Sequence, residues 1–315
     1  MIFDDLHPEN QLRKDAIEAY SRALSMKDIS RNDAAAAYLS RGNLYAQENR
    51  CDLAVPDYNG ALALEPQNKE TYYHRARCYN ATNESDKAIA DLDQILSSDE
   101  PLIFLEPGIA NLERGIANAK VGRHKLAIKD FSESIQLISS HTHPALFLLS
   151  ELYQLRGKSY AELGELQLAL LDYRQALNLN LDMRKDAGMV TTGNSYPEIS
   201  GIYVKIGDVY TRRKETKYAA AAYKDAIRED TRATDAYLAL ASLLLHGPDR
   251  QYNVAATYAK KAAELTRYKD VRALQMLAEA YFLAGQQKDA IEYARRGIVL
   301  DPENVTLKRL LRNSR

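Results

Sequence analysis

A block of about 34 residues recurs along this chain, and that period constrains the fold more than any other feature. Tyr38, Gly42, Tyr45, Ala54 and Pro66 punctuate the first clear copy; Tyr72, Ala76, Tyr79 and Ala88 stand 34 residues further on. Self-similarity at such a period belongs to solenoids, in which each unit packs on its neighbours and the core grows along one axis. A chain of 315 residues would otherwise suggest two globular domains.

Each copy holds two apolar-periodic stretches of about 14 residues, each about 21 Å long as a helix. In the first, Tyr38, Gly42 and Tyr45 recur at i, i+4 and i+7, one face of a helix. The small residue in this pattern (Gly42, Ala76, Gly115, Gly157) lets a partner helix approach. A glycine inside a helix costs about 1 kcal/mol against alanine, so its recurrence points to a packing reason. The second stretch carries Ala, an aromatic and Ala, as in Ala169, Tyr173 and Ala176 or Ala219, Tyr223 and Ala226. Between the two lies a turn such as Asn83-Glu84-Ser85 or Gly164-Glu165. Tyrosine is abundant, at 21 residues, and most of these fall on the recurring positions. They read as core side chains whose hydroxyls reach helix ends or water.

This pattern resembles the tetratricopeptide repeat family, which carries an aromatic or apolar residue, Gly and Tyr in a first helix, Ala, aromatic and Ala in a second, then Pro. The resembling copies occupy 35–67, 69–100, 108–139, 145–181, 198–231, 234–267 and 270–302. A half repeat at 8–28, with Ala16, Tyr20 and Ala23, precedes them, and 303–315 follows as a short capping helix. The resemblance covers nearly the whole chain. It implies one all-α domain over 1–315, a right-handed superhelical solenoid of antiparallel helix pairs. The ends read either as those of a fragment or as modified caps at Pro8–Ser25 and Val305–Leu311.

Composition and motifs exclude several functions. The formal net charge is −1 and no basic field exists to hold nucleic acid. The densest basic run, Arg212-Arg213-Lys214 with Lys217, falls at a turn and reads as solvated. No apolar run reaches the length of a membrane-spanning helix, and the acidic start Met1-Ile2-Phe3-Asp4-Asp5 lacks a signal pattern. A cytoplasmic location is expected. Cys51 and Cys78 have no metal-ligand spacing and are expected to be buried free thiols. Asp91 and Asp93 point to different helix faces and are expected to be solvated. His141 and His143 have no Asp, Glu or Cys close by in sequence. No phosphate-cradling loop and no nucleophile elbow occurs. The expectation is a protein without catalytic residues, cofactor or metal. The apolar run inside Ser97–Pro107 is expected to tuck under neighbouring helices, and Asp182–Pro197 to form a surface loop.

The resemblance implies that a ligand lies along the inner side of the first helices. The expected function is therefore that of an interaction scaffold, with a peptide or helical segment of another protein in a concave groove. In the N-terminal half the phase of the pattern turns Asn43, Tyr73, Arg77 and Asn80 inward, and these are the expected main contact. Asn43 and Asn80 can bond a peptide backbone, Arg77 can take a carboxylate, and Tyr73 sits off the packing positions. Lys158 and Arg212 mark a second surface in the middle of the chain. One subfamily clamps acidic chaperone tails; Asn43 matches that clamp, but Leu39, His74, Ile109 and Glu113 replace its other members. The alternative reading is the regulatory or substrate-recruiting portion of a larger enzyme or assembly, which the length of the natural reading frame would discriminate.

Overall fold

The computed structural model describes residues 8–97, 105–106, 108–141, 144–186 and 195–313. Among these residues the backbone forms 16 α-helices and no strand. They group into two compact units, Met1–Ala145 and Leu146–Arg315. The first holds α1 (Pro8–Leu24), α2 (Arg31–Gln47), α3 (Cys51–Leu64), α4 (Lys69–Ala81), α5 (Ser85–Leu96), α6 (Ile109–Lys120) and α7 (His124–Ser139). The second holds α8 (Leu146–Glu162), α9 (Leu166–Asp186), α10 (Pro197–Arg212), α11 (Thr216–Glu229) and α12 (Thr234–His246). It continues with α13 (Tyr252–Leu265), α14 (Val271–Leu283), α15 (Gln287–Leu300) and α16 (Val305–Asn313). Within each unit a helix packs on the one before and the one after it, and the first helices of successive pairs also touch, as α4 does α6 and α10 does α12.

The turn inside each pair is set by one left-handed residue. It is Asn49, Asn83, Gly122, Gly164, Lys214, Arg250 or Gly285, with φ between 42° and 80°. In six of the seven turns the next N–H reaches back five residues and closes the helix end, as Glu84 N–H does to the Tyr79 carbonyl at 2.8 Å. The following helix opens without a side-chain cap in most pairs, whereas Ser30, Asn68 and Asp270 cap α2, α4 and α14.

The recurring glycine does what its repetition implies. A Cβ on Gly42 would stand 2.7 Å from the Tyr58 ring, and one on Gly115 would stand 2.6 Å from Phe131. Gly157 meets Tyr173 at 3.0 Å, and Gly207 is tighter still against Tyr223. Each ring lies 16 residues beyond its glycine. In the second copy Ala76 faces the smaller Leu92 at the same offset, so helix spacing follows paired volumes.

One residue earlier, the same offset carries an ion pair. Arg41 bonds Asp57 at 2.6 and 2.8 Å, Arg75 bonds Asp91 at 2.7 and 2.8 Å, and Arg156 holds Asp172 through two 2.8 Å bonds. Arg114 reaches Asp130 at 2.7 and 3.1 Å. In the first unit the remaining nitrogen extends to the helix immediately before: Arg41 to Ser21, Arg75 to Asn59, Arg114 to Asp93. Asp91, expected in solvent, is thus a buried ion-pair partner, because its neighbour across the helix pair is a guanidinium. Asp93 is half-exposed and salt-bridged to Arg114. Beyond Asp172 the ladder stops: Ile206 and Ala222, Leu240 and Ala256 take the corresponding positions.

Two further expectations change. Cys51 and Cys78 are joined in a disulfide with 5.3 Å between Cα atoms, and no free cysteine remains among the described residues. Cys51 opens α3 and Cys78 sits one turn from the end of α4, so the helix pairing brings together two residues 27 apart. The segment from Asp182 to Asp186 is helical, extending α9, and 187–194 lies outside the described residues. Of the apolar run at 102–105 only Leu105 is described, packed against the core of α4, α5 and α6.

Candidate functional site

In the first unit a cavity of about 280 Å³ opens between α2, α3 and α4. Gly42 brings α3 close to α2, which fixes the Tyr58 ring at the cavity floor. The Tyr58 hydroxyl donates to Asn43 Oδ1 at 2.9 Å, which orients the Asn43 amide nitrogen away from that bond. His74, Arg77, Gln47, Asn49 and the disulfide complete the wall. Arg77 is exposed, 5.8 Å from the Tyr73 ring centre and 3.6 Å from Glu113 Oε1. Burial, with the Arg77 charge beside it, lowers the His74 imidazole to about 4. The ring is therefore neutral at pH 7, and its 3.7 Å approach to Glu70 is not an ion pair at that pH.

The expected contact residues separate into two layers. Asn43 and Arg77 line the cavity together. Tyr73 and Asn80 lie behind it, 8% and 5% exposed. Tyr73, read from sequence as unexplained by packing, is a core side chain: it joins Ala76, Tyr79 and Leu92 and meets His74 edge to face at 5.2 Å. Asn80 Nδ2 donates to the Glu113 carbonyl at 3.1 Å and to Glu113 Oε2 at 2.8 Å, tying α4 to α6. In the second unit Lys158 on α8 and Arg212 at the end of α10 are both exposed. Lys205, beside Lys158, is lowered by burial and by that charge, and donates to Gln154 at 2.7 Å.

Sequence reasoning missed Tyr58 as the cavity floor, and it missed the ladder. A signal for the ladder was present: Arg41 and Arg75 keep the 34-residue spacing, as do Asp57 and Asp91. Among the described residues no group of three or more His, Cys, Asp or Glu could hold a metal ion. No helix there is long and apolar enough to cross a membrane.

Paired helices of fixed offset, stacked on their neighbours and leaving cavities between first helices, define a helical-repeat protein. The sequence profile described as tetratricopeptide repeat matches residues 9–69, 39–102 and 249–305, and a second of that description matches 150–183. The chain belongs to the tetratricopeptide repeat family. It is similar to the mitochondrial import receptor subunit TOM70 of Homo sapiens, 26% identical over 117 residues, 36% of this chain and 19% of that protein. It is also similar to the DnaJ homolog subfamily C member 7 homolog of Schizosaccharomyces pombe, 25% identical over 215 residues, 66% of this chain and 42% of that protein. The chain thus spans less than half the length of these relatives. Among solved structures it resembles the C-terminal part of a TPR repeat-containing protein from Cytophaga hutchinsonii, with TM-score 0.61 at 18% identity, over 87% of this chain and 99% of that one. It also resembles YrrB, described as a TPR protein with an unusual peptide-binding site, with TM-score 0.51 at 19% identity, over 70% of this chain and 96% of that one. At such identities the likeness is one of fold.

Proposed function

We propose that this chain is an interaction scaffold that holds a peptide or helical segment of a partner protein on the inner faces of its first helices. The observation that carries the reading is the cavity of the first unit, whose wall offers an amide, a neutral imidazole and an exposed guanidinium on rigid helices. Such a wall needs little ordering to bind. Asn43 and Arg77 are the contacts there, Tyr73 and Asn80 hold them in place, and Lys158 and Arg212 form a second surface. The peptide-binding site in the description of YrrB and the receptor role in the name of TOM70 are consistent with this reading. The length of the curated relatives favours a second reading, that the chain is the recruiting portion of a larger assembly.

The test is affinity capture from the source cell, mapping of the retained protein on overlapping peptides, and titration of the mapped peptide. Arg77→Glu, in a variant shown to be folded, is expected to weaken binding about tenfold or more. Unchanged affinity in that variant moves the contact to the surface around Lys158 and Arg212.

A further inference from the structure

The second unit contains a larger cavity, of about 610 Å³, between α10, α11 and α12. Asp208 is the one carboxylate among its lining residues. Its Oδ1 accepts a hydrogen bond from the Tyr223 hydroxyl at 2.7 Å. The Tyr223 ring is 2% exposed and wedged against Gly207, so the phenol cannot swing and the carboxylate is held in one orientation. Asp208 is solvent-accessible yet crowded by protein, as a side chain on a concave wall must be.

Its charge is not taken up in a salt bridge, although Lys214 and His246 share the cavity lining. The ladder aspartates Asp57, Asp91, Asp130 and Asp172 each have an arginine 16 residues earlier. Around Asp208 the ladder has ended, and Ile206 and Ala222 occupy its positions. Asp208 forms no salt bridge among the described residues; Asp235 bears on it as a charge of the same sign, and Arg212, four residues on along α10, is not salt-bridged to it. Lys214 also lines the cavity, on the turn before α11, and forms no salt bridge with Asp208. Burial raises the Asp208 carboxyl above the ordinary range, which marks an anion short of solvation. Ala239, Leu243 and Pro248 supply an apolar wall beside it. A fixed, accessible carboxylate at an apolar wall matches a side chain with a cationic head on a methylene stem.

We propose that this cavity is a subsite for one basic side chain, lysine or arginine, of the partner segment. It deepens the scaffold reading, on which it rests, by giving the second unit a preference for a basic motif. The carboxylate takes the cation, and the stem lies along Leu243 and Pro248.

Two measurements on the whole chain test it. In the first, n-butylguanidinium is titrated while the methyl resonances of Leu243 and Leu240 are followed. A saturable shift is expected, absent with hexanoate as the anionic counterpart and lost in Asp208→Asn. That variant keeps the shape and the acceptor for Tyr223, and thermal unfolding verifies its fold. In the second, an immobilised hexapeptide library is probed with parent and variant. Enrichment of Arg or Lys at one position is expected in the parent, falling about tenfold in Asp208→Asn. Peptides retained with no basic preference, and no guanidinium shift, overturn the subsite and leave the scaffold reading intact. A guanidinium shift with no peptide retained supports the subsite and overturns the scaffold reading. A shift that survives Asp208→Asn overturns the assignment to this carboxylate.

Discussion

At the scale of single residues, the ion-pair ladder makes the largest demand. Arg75 and Asp91 leave 17% and 7% of their side chains exposed, so removing one partner strands a desolvated charge. Asp91→Ala is expected to cost about 3–5 kcal/mol, whereas replacing both with apolar residues of similar volume should cost far less. Urea unfolding of the two single variants and the double variant measures the coupling; a double-variant loss equal to the sum of the two single losses would show that the pair is not a unit. His74 makes a pH-dependent contribution of known sign. Its folded value of about 4 lies below the ordinary 6.5, so the unfolded chain binds the proton first. The contribution is fully present above pH 6.5 and is lost as pH falls toward 4, about 3 kcal/mol in all. His74→Gln should lose less stability than the parent between pH 7 and pH 4 in denaturant titrations; parallel curves would place the acid sensitivity elsewhere.

At the scale of elements, turns and glycine contacts decide how closely two helices pair. Lys214 holds the left-handed position that Gly122, Gly164 and Gly285 fill elsewhere. A non-glycine residue there costs about 1–2 kcal/mol, so Lys214→Gly is expected to raise stability by part of that amount. An unchanged or lower melting temperature would contradict this. Gly207→Leu, by contrast, drives a side chain into the Tyr223 ring and is expected to cost about 1–3 kcal/mol or more. The disulfide between α3 and α4 closes a span of 27 residues. On the chain-entropy account its removal costs about 3.5 kcal/mol. Thiol labelling of the unreduced chain should find no reactive cysteine; two labelled cysteines would restore the free-thiol expectation. These elements also show how far the sequence could be read. The helix pairs were legible because Gly–aromatic and Ala–aromatic positions recur at a helical period. The disulfide was not, since a 27-residue separation becomes proximity only after α3 and α4 pack. Tyr73 and Asn80 were placed on the right helix, but their burial depends on α6, which helical phase alone does not locate.

At the scale of the whole molecule, stability is a sum over neighbours. Within each unit helices pack on those one or two places away in the array, so opening need not be all-or-none. Hydrogen exchange is expected to be graded, with α1 and α16 exchanging before the inner helices of their own units; uniform protection would show one cooperative block. The arginine ladder adds a rule of adjacency. Arg75 is satisfied partly by Asn59 and Arg114 partly by Asp93, each in the pair before. A repeat carrying such an arginine is therefore grammatically incomplete by itself: it must follow a pair that offers an oxygen in the right place. Duplicating the 35–68 block behind itself would meet that condition, because its Asn59 would face the copy of its own Arg41. Splicing the α12–α13 pair ahead of Arg75 would not, because Tyr258 stands there in place of Asn59. The order of the copies is thus written into side chains rather than into loops, and an array shuffled at its turns would still spell helices while losing its syntax.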